Sequence, residues 1–440
     1  MIRLAFLLII WLFSFLVTLA QTHDLSNCIN YALEHNIAIV NQKTNTKIAH
    51  ETLNQSKRNL LPSINAVSSG NLFYGKSIDP TTNNFISQEF FSTNFYLGTQ
   101  IDLFNGFVKQ NTIKFNRFQH LKQEEQTKQL ERLISFEVMN AFYDVLYYKE
   151  LSEVVKEQLD LTQMNVTKVN KLIQLGLKAE ADLLEIQAQE ATEQHNLLRV
   201  NNQEKLAVIQ LKKAMNYPLE QPIELKEDKY LIPDEKINVD DIYNTASLNA
   251  PELKMADFDK QAADKQIAIA RGNLLPNLSL GGNYRSYYAN SNKEINNGQE
   301  QIIPFKDQFS QNASQNVYLS LQIPLFEQWR RQSQVKTARL KQQMAAQSYQ
   351  EAEQELYQQI HEDYQQFESL QKEYIQLSVQ LQLQHKAFEI AEKKMEQGLI
   401  SVLEFYTAKN LLGKAKADLL RTRMLLKIKE KTLSYYTTNQ

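Results

Sequence analysis

Two intervals of this 440-residue chain, 107–175 and 327–397, contain neither glycine nor proline. Proline clashes with helical backbone and lacks a donor, and glycine loses the most conformational entropy on ordering, so a stretch without either can stay helical. Both intervals are rich in Gln, Glu, Lys, Leu and Ala, which favour helix. Two helices of about 70 residues are predicted, each about 100 Å long at 1.5 Å per residue. In the first, Leu151, Val155, Leu159, Thr162, Val166, Val169 and Ile173 step by four or three, the spacing of an apolar stripe suited to coiled-coil-like packing. Each interval stops at one glycine, Gly176 or Gly398, and a second helix-forming run follows at once. Glycine past a last helical turn adopts the left-handed conformation that reverses a chain. Two helical hairpins follow, 107–217 and 327–436.

The chain also repeats itself. The tetrapeptide NLLP stands at positions 59–62 and again at 273–276, each after a helical run, and Leu103-Phe104 is answered by Leu325-Phe326 and Gly176 by Gly398. This is a tandem duplication whose unit is helix, extended segment, loop, extended segment, long helix, glycine turn, helix. The division expected is a first repeat at 21–217, a short connecting region at 218–251 marked by Pro218, Pro222, Pro233 and Pro251, and a second repeat at 252–440. Pro62 and Pro276 end a helix and start a strand, because proline disfavours helical geometry in the residue before it. They mark helix-to-barrel joints, and Leu103-Phe104 and Leu325-Phe326 are read as opening the long helices.

Between these joints the periodicity changes from 3.6 to 2. Phe95, Leu97, Thr99, Ile101 and Leu103 alternate with polar residues and Gly98, and Val317, Leu319, Leu321, Ile323 and Leu325 do so again. Strands are expected at about 63–74, 92–104, 277–288 and 315–325, each near the length a tilted strand needs to cross a bilayer. Aromatics gather at their far ends, among them Phe73, Tyr74, Phe90, Phe91, Tyr288, Phe305 and Phe309, and the loops beyond are polar. A soluble sandwich with one buried face would alternate in the same way. If the strands enter a membrane, four of them cannot close a barrel, and open edges would leave backbone groups unsatisfied in hydrocarbon. Several copies would then have to pool their strands, with Phe95, Leu97, Ile101, Val317, Leu319, Leu321 and Ile323 facing lipid.

The opening residues 1–20 carry one basic residue, Arg3, and then an apolar run, which reads as a secretory signal peptide; a retained anchor is the alternative. Cys28 is the only cysteine, so no internal disulfide can form. With 48 basic against 50 acidic residues the chain has no charge excess to hold a nucleic acid. The seven histidines have no i, i+4 pairing, no phosphate-binding glycine loop or nucleophile elbow is present, and neither catalytic residues, a metal site nor a cofactor is expected.

Signal peptide, duplicated halves, LLP at each helix-to-strand joint, LF opening each long helix and glycine-turn hairpins together resemble the TolC-type outer-membrane efflux and secretion channels, over residues 24–436. The resemblance implies a mainly helical fold with a β-barrel part: a homotrimer whose chains give four strands each to one 12-stranded barrel, with the helical hairpins forming an α-barrel in the periplasm of a Gram-negative bacterium. It implies a passive exit duct for efflux or type I secretion, joined to a periplasmic adaptor protein and an inner-membrane pump of RND or ABC type. In such proteins the glycine turns meet the adaptor and nearby acids line a cation-favouring entrance. Gly176-Leu177 with Asp182, and Gly398-Leu399 with Glu404, match those turns. The second acidic position of the family's second half is Thr407 here, and Glu185 holds the equivalent place in the first half. Acids in first helical turns also suit the helix dipole without any gate. A soluble periplasmic coiled-coil scaffold without channel activity is the competing reading.

Overall fold

The computed structural model describes residues 22–78, 83–87, 89–226, 238–296 and 298–437; the expected signal peptide lies outside them. Nine helices occur among these residues. The first repeat holds α1 (Leu25–His35), α2 (Ile37–Arg58), α3 (Val108–Gln174) and α4 (Glu180–Met215). The second holds α5 (Val239–Asn249), α6 (Pro251–Gly272), α7 (Phe305–Gln311), α8 (Arg330–Glu396) and α9 (Val402–Thr437). The duplication can be followed residue by residue. Helices α5 and α6 begin and end 214 positions after α1 and α2, while α8 and α9 begin and end 222 positions after α3 and α4. Helix α5, assigned from sequence to the connecting region 218–251, is thus the counterpart of α1, and the second repeat starts near Asn238. Both helices begin with a side-chain cap, Asp24 accepting from the Asn27 amide and Asn238 from that of Asp240.

The chain divides into two compact units, built from the described residues of Met1–Asn45, Glu124–Lys254 and Gln350–Gln440, and of Thr46–Gln123 and Met255–Tyr349. In the first unit, two apolar cores occupy matching positions of the repeats. Cys28, Ala32, Val138 and Leu211 are buried in one core; Ile242, Ala246, Ile360 and Leu433, their counterparts, are buried in the other. Removing each such side chain from water stabilises the fold by about 1.5–3 kcal/mol for the larger aliphatics. The helix ends are pinned by paired amides: Asn36 Nδ2 donates to the Ala214 carbonyl and Asn216 Nδ2 to that of His35. Cys28 is completely buried and its thiol is pushed up to about 12, chiefly by burial and then by Asp24. Strands β1 (Thr22–His23) and β6 (Glu224–Leu225) form a short parallel pair.

The second unit carries a four-stranded antiparallel sheet in the order β10-β7-β5-β2. Its strands are β2 (Ser63–Phe73), β5 (Phe90–Phe104), β7 (Asn277–Ala289) and β10 (Ser314–Gln322). Two regions read as plain loops hold short hairpins, β3 (Lys76–Ile78) with β4 (Phe85–Ser87) and β8 (Lys293–Asn296) with β9 (Gln299–Ile302), and the second also holds α7. Strand β10 ends three residues short of the sequence expectation. Pro324 offers no ladder donor, so Ile323 and Leu325 lie past the strand rather than in it. Among the described residues no helix is long and apolar enough to cross a membrane.

Candidate functional site

The register of the sheet divides its side chains cleanly between two faces. Residues directly opposite in an antiparallel pair share a face, and the pairs run Leu319↔Leu280↔Ile101, Val317↔Gly282↔Thr99↔Ile64 and Tyr284↔Leu97↔Ala66. One face is therefore apolar across all four strands. The opposite face carries Asn316, Asn283 and Gly98, with Asn65 on β2. The apolar face is open: Ile64 is 74 % exposed, Val317 78 %, Leu319 64 %, and Leu321 and Leu97 are exposed too. Such a contiguous apolar surface is what water disfavours most strongly in a folded chain. Phe95 lies on the same face but differs, being covered by the rings of Phe305 and Phe309 at 5.7 and 5.3 Å. Strands β2 and β10 are the edges, each bonded on one side only among the described residues.

Both helix-to-strand joints have one construction. After α2, the amides of Leu60 and Leu61 bond back to Lys57 and Arg58; after α6, those of Leu274 and Leu275 bond back to Arg271 and Gly272. Pro62 and Pro276 then precede the first residues of β2 and β7. The return joints correct the sequence reading of LF. Leu103 and Phe104 end β5, Leu325 and Phe326 lie between β10 and α8, and neither pair opens a helix. Two left-handed residues intervene in each repeat, Gly106 and Phe107 at φ 64° and 60°, then Gln328 and Trp329 at 52° and 62°. A Cβ on Gly106 would collide with the Gly272 carbonyl, so glycine is required there for space as well as φ. An ion pair bridges each return joint, Asp102 with Lys109 at 2.8 Å in the first and Glu327 with Arg331 at 2.5 Å in the second. Arg331 and Arg330 hold the Glu327 carboxyl below its ordinary range.

The glycine turns are Schellman motifs. Gly176, at φ 72°, sends its amide to Ile173 while Leu177 reaches Leu172; Gly398, at φ 70°, does the same toward Met395 while Leu399 reaches Lys394. Nothing lies within 4 Å of a Cβ at either glycine, so the residue is needed for φ alone. Leu177 and Leu399 are exposed at 68 % and 67 %. Behind the turns, Val169, Ile186, Val402 and Phe405 form a shared core. The acids proposed from sequence have local partners. Asp182 meets Lys178 at 3.3 Å, and Glu404 closes a capping box, accepting from the Ser401 amide at 2.9 Å while its own amide donates to Ser401 Oγ. Glu185 is exposed beside the same turn as Asp182.

A buried charge cluster that sequence reasoning missed lies between the hairpins. Lys409 Nζ donates to Glu193 at 2.8 Å, to the Gln158 carbonyl at 2.6 Å and to Thr162 Oγ1, with Lys409 and Glu193 side chains only 2 % and 5 % exposed. Burial lowers the Lys409 pKa and the Glu193 carboxylate opposes that. A second cluster pairs Lys429 with Asp363 at 2.8 Å, and Tyr436 donates to the same carboxylate. No sequence signal separates these lysines from the exposed ones on the same helices. Among the described residues no group of three or more His, Cys, Asp or Glu is placed to hold a metal.

No curated protein matches the chain in sequence. Solved structures match it over nearly its whole length. The CusC channel superposes with a TM-score of 0.79 at 17 % identity, covering 96 % of this chain and 94 % of that one. The outer-membrane protein VceC of Vibrio cholerae gives 0.76 at 16 %, covering 94 % and 95 %. A membrane protein of Pseudomonas aeruginosa gives 0.78 at 16 %, covering 94 % and 93 %. The fold is thus the combined α-barrel and β-barrel fold of outer-membrane efflux channels. The family model described as "Outer membrane efflux protein" matches residues 28–217 and again 242–438, one match per repeat. With both repeats matched, the chain belongs to the outer membrane efflux protein family, whose members are channels and not enzymes.

Proposed function

We propose that three copies of this chain close a 12-stranded barrel in the outer membrane, β10 of each copy pairing with β2 of the next, and that the trimer is the passive exit duct of a tripartite efflux pump. The observation that carries this reading is the sheet: four strands, one apolar face exposed from edge to edge, and two free edges. Lipid covers that face at no cost, whereas the edges demand partners, because each unpaired backbone group in hydrocarbon costs several kcal/mol. Leu97, Ile101, Val317, Leu319 and Leu321 then face lipid, with Ile323 at the boundary, and the joints at Pro62 and Pro276 lie on the periplasmic side.

The turns at Gly176-Leu177 and Gly398-Leu399 would meet a periplasmic adaptor, whose partner is an inner-membrane pump of RND or ABC type. Two exposed leucines in equivalent places suit an apolar contact repeated around the trimer. Asp182, Glu404 and Glu185 would supply negative charge at the entrance; the capping box with Ser401 fixes the Glu404 carboxylate without neutralising it, whereas Asp182 is paired with Lys178. Type I secretion uses the same kind of duct, and the family's efflux description favours efflux here.

Disulfide trapping tests the seam. Val67→Cys is combined in turn with Asn316→Cys, Tyr318→Cys and Ser320→Cys, all on the polar face. One combination should give covalent trimers on oxidation; monomers throughout the set would refute the seam. For the entrance, Asp182→Ala with Glu404→Ala should weaken block of the channel by multivalent cations added on the periplasmic side, and unchanged block removes those acids from that role.

A further inference from the structure

The two repeats differ in length at one place. From Pro62 to Leu103 and from Pro276 to Leu325 the landmarks are the same, yet the offset between repeats grows from 214 to 222, and within the longer span lies α7 (Phe305–Gln311), which has no counterpart among the described residues of the first repeat. Phe305 and Phe309, four apart, share one side of this helix. Their rings meet Phe95, and those of Tyr288 and Tyr284 at 5.6 and 6.3 Å. Phe95 pairs with Ser286, and Ser286 Oγ donates to the Phe309 carbonyl at 2.7 Å. Helix α7 therefore rests on the apolar face of the sheet, at its loop end.

It also seals an edge. Strand β10 begins at Ser314, opposite Arg285, so the last residues of β7 run beyond their neighbour. Their open groups are taken by side chains. Gln308, wholly buried, accepts from the Ala289 amide at 3.1 Å and donates to the Ala289 and Ile303 carbonyls, and Asn312 Nδ2 donates to the Tyr287 carbonyl at 2.9 Å. Away from the sheet the helix shows Lys306, Asp307 and Ser310 to solvent, while Phe305 stays 49 % exposed at its flank. Aromatic below, charged above and bonded through Gln308 and Asn312 to the end of β7, this element has the composition of the boundary between hydrocarbon and headgroups.

We propose that α7 is an interfacial anchor: it lies in the headgroup layer of the outer leaflet and sets the height at which lipid contact with the apolar face stops. The proposal rests on the reading that this face meets lipid, and it adds an element of the second repeat to what holds the barrel at a set depth. The partner is a lipid surface, with Lys306 among headgroup phosphates and Phe305 at the edge of the acyl chains.

The test is spin-label accessibility in the full-length protein reconstituted into phospholipid vesicles. Nitroxide is placed on Lys306→Cys, Leu319→Cys or Glu294→Cys, and the relaxation produced by oxygen and by a water-soluble nickel chelate is compared. The buried Cys28 takes no label, and the unsubstituted protein is the blank. The expected order of oxygen-to-nickel ratio is Leu319 highest, Glu294 lowest and Lys306 between them. A Lys306 label as open to nickel as Glu294, or as deep as Leu319, overturns the anchor while a lipid-exposed Leu319 leaves the channel reading intact. A Leu319 label open to nickel overturns both.

Discussion

At positions 106 and 107 the first repeat passes from strand to long helix through two left-handed residues, Gly and Phe, and at 328 and 329 the second makes the same passage with Gln and Trp. The backbone is conserved inside the chain while the residue that suits it is not. The cores show the same pattern. Asp363 and Lys429 face each other in the second hairpin where the first, 222 positions earlier, has Ala141 and Ala207. At the turns, Ser401 caps α9 where its counterpart Ala179 gives α4 no side-chain cap. Duplication fixed the geometry of hairpin and joint, and the repeats then diverged wherever another side chain could satisfy that geometry. At Ala141 and Ala207 and at Ala179 the first repeat uses small residues where the second uses polar ones, while at Glu193 and its counterpart Ala415 the order is reversed.

The largest effect is expected where divergence created a dependence. Lys429→Ala leaves the Asp363 carboxylate, 4 % exposed, without its cation and should destabilise the protein by about 3 kcal/mol. Asp363→Ala with Lys429→Ala, which writes the residues of the first hairpin into the second, should recover most of that loss in denaturant unfolding followed by circular dichroism. A double variant as unstable as the single one would mean that the two hairpins do not tolerate each other's cores.

The joints should respond next, and with opposite signs. Gly106→Ala places a Cβ against the Gly272 carbonyl at a left-handed φ and should cost about 2–3 kcal/mol. Gln328→Gly at the equivalent position relieves a left-handed non-glycine residue and should gain up to about 1 kcal/mol. Thermal dissociation of the detergent-solubilised oligomer would report both. The smallest shifts belong to the caps. Ser401→Ala should cost about 1 kcal/mol and Ala179→Ser should gain about half as much, read as changes in hydrogen exchange at the first turns of α9 and α4.

The long helices, their glycine turns and the four strands were legible in the sequence because each rests on a local rule: absence of breakers, a residue able to take positive φ, alternation along the strand. Sequence reading placed α5 outside the second repeat because the proline cluster around it resembles a linker, and its matching ends, caps and buried residues reveal it as the counterpart of α1. It read LF as a helix start, since no local signal announces that Phe107, Gln328 and Trp329 adopt left-handed geometry. Helix α7 escaped because seven residues, FKDQFSQ, are too few for periodicity to show, and Gln308 gains its meaning only from the strand end beside it. The Lys409–Glu193 pair depends on which turn of one helix meets which turn of another, and that register follows from packing between segments more than 200 residues apart.

Planar-bilayer conductance tests the central claim most directly. Purified protein should insert and produce stable conductance steps, and Leu319→Asp with Leu321→Asp, which puts two charges on the apolar face, should abolish them because charged groups there are costly at the bilayer midplane. Protein that stays in water without detergent and gives no conductance, or a double variant that conducts as well as the parent, would contradict a barrel built from this sheet.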